Sequence, residues 1–341
     1  MSGSKTFTIH DIARLAEVSP TTVSFVINDK DGISEETRKR VLDVIAKTGF
    51  IPNAHTRRLN LGKSFNVTVV MQSQTSSLQD IYFLDIIFGI LSESKTLGYS
   101  VLFATLDNDT DRELLLHTIN DKSTDGLIFL MDIDPVTLSF ISESGIPHIV
   151  VDSHLTDDGV YPQVRVDYKE ISFMATEYLI KAGHKKIAFI SMKKSPNYYT
   201  STFEGYKDAL IQYGLPLAPA WIRSDAYDED SAYSCMQSIL ESGSELPTAV
   251  FCAGDLYAIG AMKCAKDHGF VLPDDISFIS IDDIIVSSYI DPPLTTVSLN
   301  EKEMGRITMR MMYDILNNDL ETPIINLNGR IVERDSVKRL D

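Results

Sequence analysis

The chain has 341 residues, 44% hydrophobic and 23% charged, with a net charge of −17. Its length suits about two to three domains, and the composition is that of an ordinary globular protein, not a disordered or fibrous one. No apolar run approaches the ~20 residues of a membrane span, and the N-terminus lacks a signal-peptide core, so a cytoplasmic protein with no membrane partner is expected.

Residues 1–7 read as a lead-in. Thr8 is a hydroxyl N-cap, and Ile9, Ile12, Ala13 and Leu15 give a first helix one apolar face. Glu17-Val18 turns the chain. Ser19 then caps a second helix with Pro20 at its first position, where a missing N–H costs nothing. That helix is expected to bury Val23, Val26 and Ile27 and to leave Thr21, Thr22, Ser24 and Phe25 for a partner. Ser34 caps a third helix, with Val41, Leu42, Ile45 and Ala46 facing inward and Gly49 ending it. Two short helices across a tight turn, braced by a third, make a helix-turn-helix unit. The pattern alone also fits other small three-helix bundles.

Charge is split along the chain. Residues 1–63 carry 10 basic and 7 acidic side chains, a net of +3, and the remaining 21 basic and 41 acidic ones give −20. A basic head suits phosphate contacts, while an acidic body would repel DNA elsewhere on its surface. After the head, Pro52 breaks the third helix, since the residue before a proline avoids the helical region. Asn53 can cap a short helix, Ala54 to Asn60, well below the ~12–15 residues needed to persist alone in water. A plain linker fits residues 52–63 as well.

From Phe65 the period changes. The β-rich runs NVTVVM, YSVLFAT, DGLIFLM and IPHIVVD alternate with helical stretches near 83–97, 110–120 and 135–144. The alternation restarts at KKIAFIS and continues through TAVFCA and DISFISI, with helices near 168–182, 202–213, 229–241 and 255–268. Such alternation means parallel sheets covered on both faces. Two series predict two α/β lobes, with a ligand in the cleft outside the carboxyl ends of their strands. Cys235, Cys252 and Cys264 are odd in number and lie in apolar words, as reduced core thiols do. No metal-ligand spacing, nucleophile elbow or Gly-rich phosphate loop is present, so neither an enzyme nor a cofactor is expected.

The words TIHDIARLAEVS, TTVSFVIN and ISEETRKRVLDVIAKTGFIPNA, with the later Leu59, resemble the DNA-binding head of the LacI/GalR family of bacterial transcription regulators. The resemblance runs from Thr8 to about Ser336. It implies an N-terminal all-α helix-turn-helix head (1–51), a hinge helix and linker (52–64), and a C-terminal α/β body (65–341) of two parallel-sheet lobes like the periplasmic sugar-binding proteins. By that resemblance the chain crosses between lobes near 163, 293 and 325. Lobe 1 then comprises about 65–163 and 295–324, and lobe 2 about 164–294 and 325–341. No leucine heptad tail of the kind that tetramerises members of the family follows GRIVERDSV, so a homodimer is expected.

The resemblance also assigns roles. Pro20, Thr21 and Phe25 fall on positions that read base edges of operator DNA, and Thr8, His10, Ser19, Thr22, Ser24, Asn28 and Ser34 suit phosphate contacts. Most members place arginine where Phe25 stands. Arginine pairs with guanine, whereas phenylalanine makes only apolar contact, for instance with a thymine methyl; packing of Phe25 on the head's own core is the alternative. Asn53, Ala54, Arg57 and Leu59 fall on the hinge, with Leu59 a wedge in the minor groove. For the effector the resemblance points to Asp80, Tyr82, Phe83, Asp152, Thr202, Tyr227 and Asp282, with Phe83 equally suited to the lobe core. Asp255 reads as a helix cap. Thr202 stands where the family has arginine and Gly254 where asparagine is common, so a pocket without a fixed cation disfavours carboxylated or phosphorylated ligands. The expected function is a dimeric repressor answering to a carbohydrate in the cleft, or to a non-sugar ligand or corepressor. A solute-binding protein is the less favoured reading.

Overall fold

The computed structural model describes residues 7–27, 30–50, 62–72, 81–130, 133–152, 154, 161–193, 196–243, 245–318 and 324–340. The chain divides into two compact units, Met1–Ser64 and Phe65–Asp341.

The first unit holds α1 (Ile9–Leu15), α2 (Pro20–Ile27) and α3 (Glu35–Thr48). Each begins at a hydroxyl. The Thr8 side chain accepts from the Asp11 N–H at 3.3 Å while Asp11 accepts from the Thr8 N–H at 3.0 Å, a reciprocal cap. Ser19 Oγ accepts from the Thr22 N–H at 3.0 Å, and Ser34 Oγ from the Thr37 N–H at 3.3 Å. Gly49 closes α3 in the left-handed region, φ 64°. The core is Ile12, Ala13, Ala16, Val23, Val26 and Val41, with Ile9, Ile27, Val44 and Ile45 packed around it. Leu15, Leu42 and Ala46, expected inside, are exposed. Leu15 adjoins buried Ala16 and Leu42 adjoins buried Val41, so each lies about 100° around its helix from the residue that is covered.

The second unit is two doubly wound lobes. The first contains β1 (Asn66–Met71), α4 (Ile81–Leu97), β2 (Ser100–Thr105), α5 (Asp109–Asn120), β3 (Gly126–Leu130), α6 (Pro135–Ser144), β4 (His148–Val151) and β5 (Gln163–Val166). The second contains α7 (Tyr168–Lys181), β6 (Ile187–Ile190), α8 (Pro196–Gln212), β7 (Ile222–Arg223), α9 (Glu229–Leu240), β8 (Ala249–Cys252), α10 (Asp255–Asp267), β9 (Ser277–Asp282) and β10 (Thr295–Ser298). α11 (Glu301–Asn318) and β11 (Ile324–Leu327) then return to the first lobe, and β12 (Arg330–Val332) to the second. The strand orders are β2-β1-β3-β4-β5-β11 and β7-β6-β8-β9-β10-β12. Every pairing is parallel except β10 with β12. Central strands such as β3, GLIFL, are apolar and buried throughout because helices cover both faces.

The three crossings follow Val166, Ser298 and Leu327, later than expected. Thr295–Ser298 pairs with β9 and so belongs to the second lobe; Ile324–Leu327 pairs with β5 and belongs to the first. Each crossing is preceded by a strand with no covering helix directly after it in its own lobe, and the bounds that the resemblance implies fall before or inside that strand. α8 begins at Pro196, before the expected 202, with proline at a position that needs no N–H. α11 packs on α4 at a close crossing, where the Lys302 carbonyl faces Gly89 and the Ile86 carbonyl faces Gly305. All three cysteines are buried and none is in a disulfide, and burial pushes the Cys264 thiol up to about 11.

Candidate functional site

On α2, Val23 and Val26 point into the core. The opposite side carries exposed Pro20 and Thr21, with Thr22, Ser24 and Phe25 half-buried. Thr21 and Phe25 are one helical turn apart and share a face. Phe25 is not part of the head's core cluster; its ring lies under the Lys30 ammonium, 5.5 Å from the centroid. Thr8, His10, Ser19 and Ser34 are exposed. Asn28, Asn53, Ala54, Arg57 and Leu59 lie outside the described residues, as does Asp80.

The second unit has a cavity of about 140 Å³ between its lobes, at the carboxyl ends of the strands. From the first lobe come Tyr82 and Phe83 in the opening turn of α4, Asp152 just after β4, and His154. The second lobe supplies Tyr168 at the start of α7, Tyr198 of α8, Tyr227, Tyr257 of α10 and Asp282 at the end of β9. Both aspartates have left-handed backbones, φ 57° at Asp152 and 118° at Asp282. Non-glycine residues held there concentrate at functional sites. The Tyr168 hydroxyl donates to Asp152 Oδ1 at 2.7 Å and lies 3.4 Å from the Tyr82 hydroxyl, so it spans the cleft. His154 Nε2 is 3.8 Å from Asp152 Oδ2. Its ring packs on Tyr168 at 5.0 Å and on Tyr198 at 4.9 Å. Burial, then the charge of Asp152, holds the Tyr82 and Tyr168 hydroxyls well above the usual tyrosine range, so they stay protonated donors. Gly254, φ 151°, leaves room for the Tyr257 ring, which lies 3.0 Å from where a Cβ would stand.

The structure brings Tyr82, Phe83, Asp152, Tyr227 and Asp282 together. Phe83 is both wall and core. Thr202 does not join them. It is fully buried, and its hydroxyl bonds the Tyr198 carbonyl at 2.8 Å and lies 3.2 Å from the Ser191 hydroxyl. Asp255 is not a helix cap. Its carboxylate accepts from Ser280, Ser287 and Thr296 hydroxyls and the Ile284 N–H, tying α10 to the loop beyond β9. Burial raises the pKa of this carboxyl. His154, Tyr168, Tyr198 and Tyr257 were not anticipated. Their one signal is an aromatic or histidine shortly after a strand end.

A capped helix-turn-helix unit and a two-lobed clamp with its cleft at the strand ends define, together, a DNA-binding regulator with a small-molecule receptor. A family model described as bacterial regulatory proteins, lacI family, matches residues 8–53, and one described as a periplasmic binding protein-like domain matches residues 176–337. Catabolite control protein A of Priestia megaterium is 32% identical over 335 residues, 97% of this chain and 99% of that protein. Among solved structures, a transcriptional regulator CelR–cellobiose complex aligns with TM-score 0.73 and 25% identity over 97% of this chain and 99% of that one. The lac repressor dimer bound to operator and an anti-inducer shares the fold, with TM-score 0.82 and 24% identity over 98% and 100%. The chain belongs to the LacI family of bacterial regulatory proteins. It is a transcription regulator, not an enzyme, and among the described residues no helix is long and apolar enough to cross a membrane.

Proposed function

We propose that this protein is a dimeric repressor of metabolic, chiefly carbohydrate-utilisation, genes whose operator affinity is set by a small molecule between the lobes. The cytoplasm is its place of action. The observation that carries the reading is the cleft: five tyrosines and two strand-end aspartates from both lobes converge on one cavity. A ligand touching both lobes biases their relative angle, and it can do so only by its differential affinity for the two arrangements.

In the head, Thr21 and Phe25 read base edges, while Thr8, His10, Ser19, Thr22, Ser24 and Ser34 hold phosphates. Arg57 and Leu59 act at the operator's centre, where Leu59 wedges a base step open. A second copy is supported by the edge of lobe 1, where β2 exposes Leu102 and Phe103 beside exposed Phe88 and Leu91 of α4. Exposed apolar side chains along an unpaired sheet edge mark an association surface.

Selection of random duplexes by gel shift at moderate salt tests the reading. A near-palindromic operator should emerge, rich in A·T at the step that Phe25 meets, and Phe25→Arg should move that step toward G·C by ~1–3 kcal/mol of discrimination. If no operator is enriched, the regulator reading of the head fails. Leu59→Ala should weaken the operator complex about tenfold, ~1.4 kcal/mol, without lowering the melting temperature.

A further inference from the structure

We propose that Lys30 is a base-reading residue: its ammonium, held against the Phe25 ring, takes the guanine of the base pair beside the one that Phe25 meets. This rests on the head reading operator DNA through α2.

α2 itself, PTTVSFVI, brings no charge to the groove. Its outward Thr21 and Phe25 offer a hydroxyl and a ring, and neither matches the two adjacent acceptors, O6 and N7, that mark guanine. A cation reaches the same face from beyond the helix. Lys30 follows α2 by three residues and is exposed, and its Nζ lies 5.5 Å from the centroid of the Phe25 ring.

Two hydrogen bonds fix where this side chain starts. The Lys30 N–H donates to the Phe25 carbonyl at 2.9 Å, and the Lys30 carbonyl accepts from the Arg38 guanidinium at 2.9 Å. The residue is thus tied to α2 on one side and to α3 on the other. From that anchor the ring face attracts the ammonium. A long side chain already held in place gives up less rotamer freedom when it docks.

The ring also sets the depth at which the cation works. A lysine that serves a phosphate stands at the rim of the groove, whereas this one lies against the ring that meets base edges. Successive base pairs are about 3.4 Å apart, so an offset of 5.5 Å suits a neighbouring pair. Lysine can take O6 and N7 of one guanine, as arginine does. Phe25 and Lys30 together then read two steps where a single arginine would read one.

The test selects operators from random duplexes with the full-length parent and with Lys30→Met, Lys30→Arg and Phe25→Leu. Methionine keeps an apolar stem and removes the charge. The parent should enrich guanine beside the A·T step of each half-site. In Lys30→Met that preference should fall about tenfold while the other positions keep theirs, and the salt dependence should stay near the parent's. Lys30→Arg should retain the guanine. Phe25→Leu, which removes the ring beneath the ammonium, should weaken it severalfold. A parent operator without that guanine overturns the proposal, as does a Lys30→Met protein that selects the parent's sequence. Uniform weakening on every sequence with a shallower salt slope overturns it too, because that marks a phosphate contact. So does a lower melting temperature with unchanged base preferences, the sign of a cation that only balances the end of α2. The regulator reading is judged by the parent alone: if it enriches no operator, that reading fails and this proposal falls with it.

Discussion

The two lobes of the body share one winding but differ at their outer edges and at their floors. In lobe 1 the edge strand β2 is six residues long with exposed Leu102 and Phe103; in lobe 2 the corresponding edge, β7, is two residues long. Arg223 blunts that second edge by donating to the Ala220 and Ile222 carbonyls and to Ser238. Short, charge-covered edges resist pairing, and long apolar ones invite it. The floors differ in the opposite sense. Lobe 2 sets its ligand-facing loop on the buried Asp255 network, whereas Asp152 of lobe 1 takes a hydroxyl from across the cleft. Lobe 2 is built to hold its loop still. Lobe 1 carries the edge suited to association.

The largest effect expected from breaking this contrast is at Asp255. Asp255→Ala would strand three hydroxyls and an N–H in a buried site, at roughly 3 kcal/mol or more. Urea unfolding should show the midpoint falling accordingly; an unchanged midpoint would mean that the network does not stiffen the floor.

Next comes the crossing between the lobes. Glu301 opens α11 directly after the second crossing, is buried, and has one carboxyl oxygen without a hydrogen-bond partner. Burial pushes its pKa up to about 8 from 4.5, and Asp283 and Asp85 add to the rise. The folded state thus keeps a proton that the unfolded chain releases. The stabilisation is complete below about pH 4.5 and is lost as pH rises through about 8, at up to ~1.4 kcal/mol per pH unit. Glu301→Gln should flatten the melting temperature over that window; a slope equal to the parent's would place the linked proton elsewhere.

Much of this was legible in the sequence, for reasons that separate local from tertiary physics. Thr8, Ser19 and Ser34 announce their helices because a cap bonds to a backbone group a few residues on. The strand runs are legible because burial on both faces demands unbroken apolar words. Leu15 and Leu42 misled because both belong to apolar stretches whose covered side is decided by the neighbouring helices. Asp255 looked like a cap because it begins a helix, yet its donors lie 25 to 41 residues further on. Tyr168, Tyr198 and Tyr257 meet only when three separate elements fold, so nothing local could gather them. Thr202 was placed by analogy with a longer side chain, and analogy carries position without reach.

A smaller effect is expected where α4 crosses α11. Gly305→Ala puts a methyl group against the Ile86 carbonyl, so the two helices must part. Overpacking of this kind costs about 1–3 kcal/mol. Thermal unfolding followed by circular dichroism measures it, and a variant as stable as the parent would show that the crossing has slack.

The edge of lobe 1 supplies the last and smallest change, and the one that sharpens the contrast most. Leu102→Lys puts a charge at an exposed position of the edge strand β2, where a lysine discourages pairing. Self-association measured by sedimentation should weaken about tenfold, ~1.4 kcal/mol, and operator affinity should fall with it, because a single head meets a single half-site. The control is Ile211→Lys on α8 of lobe 2, where another exposed apolar residue gains the same charge. If both variants dissociate alike, the charge acts wherever it is placed and the asymmetry between the lobes has no bearing on assembly. If only Leu102→Lys dissociates, association belongs to lobe 1. The ligand then works between a lobe fixed to its twin and a lobe free to swing.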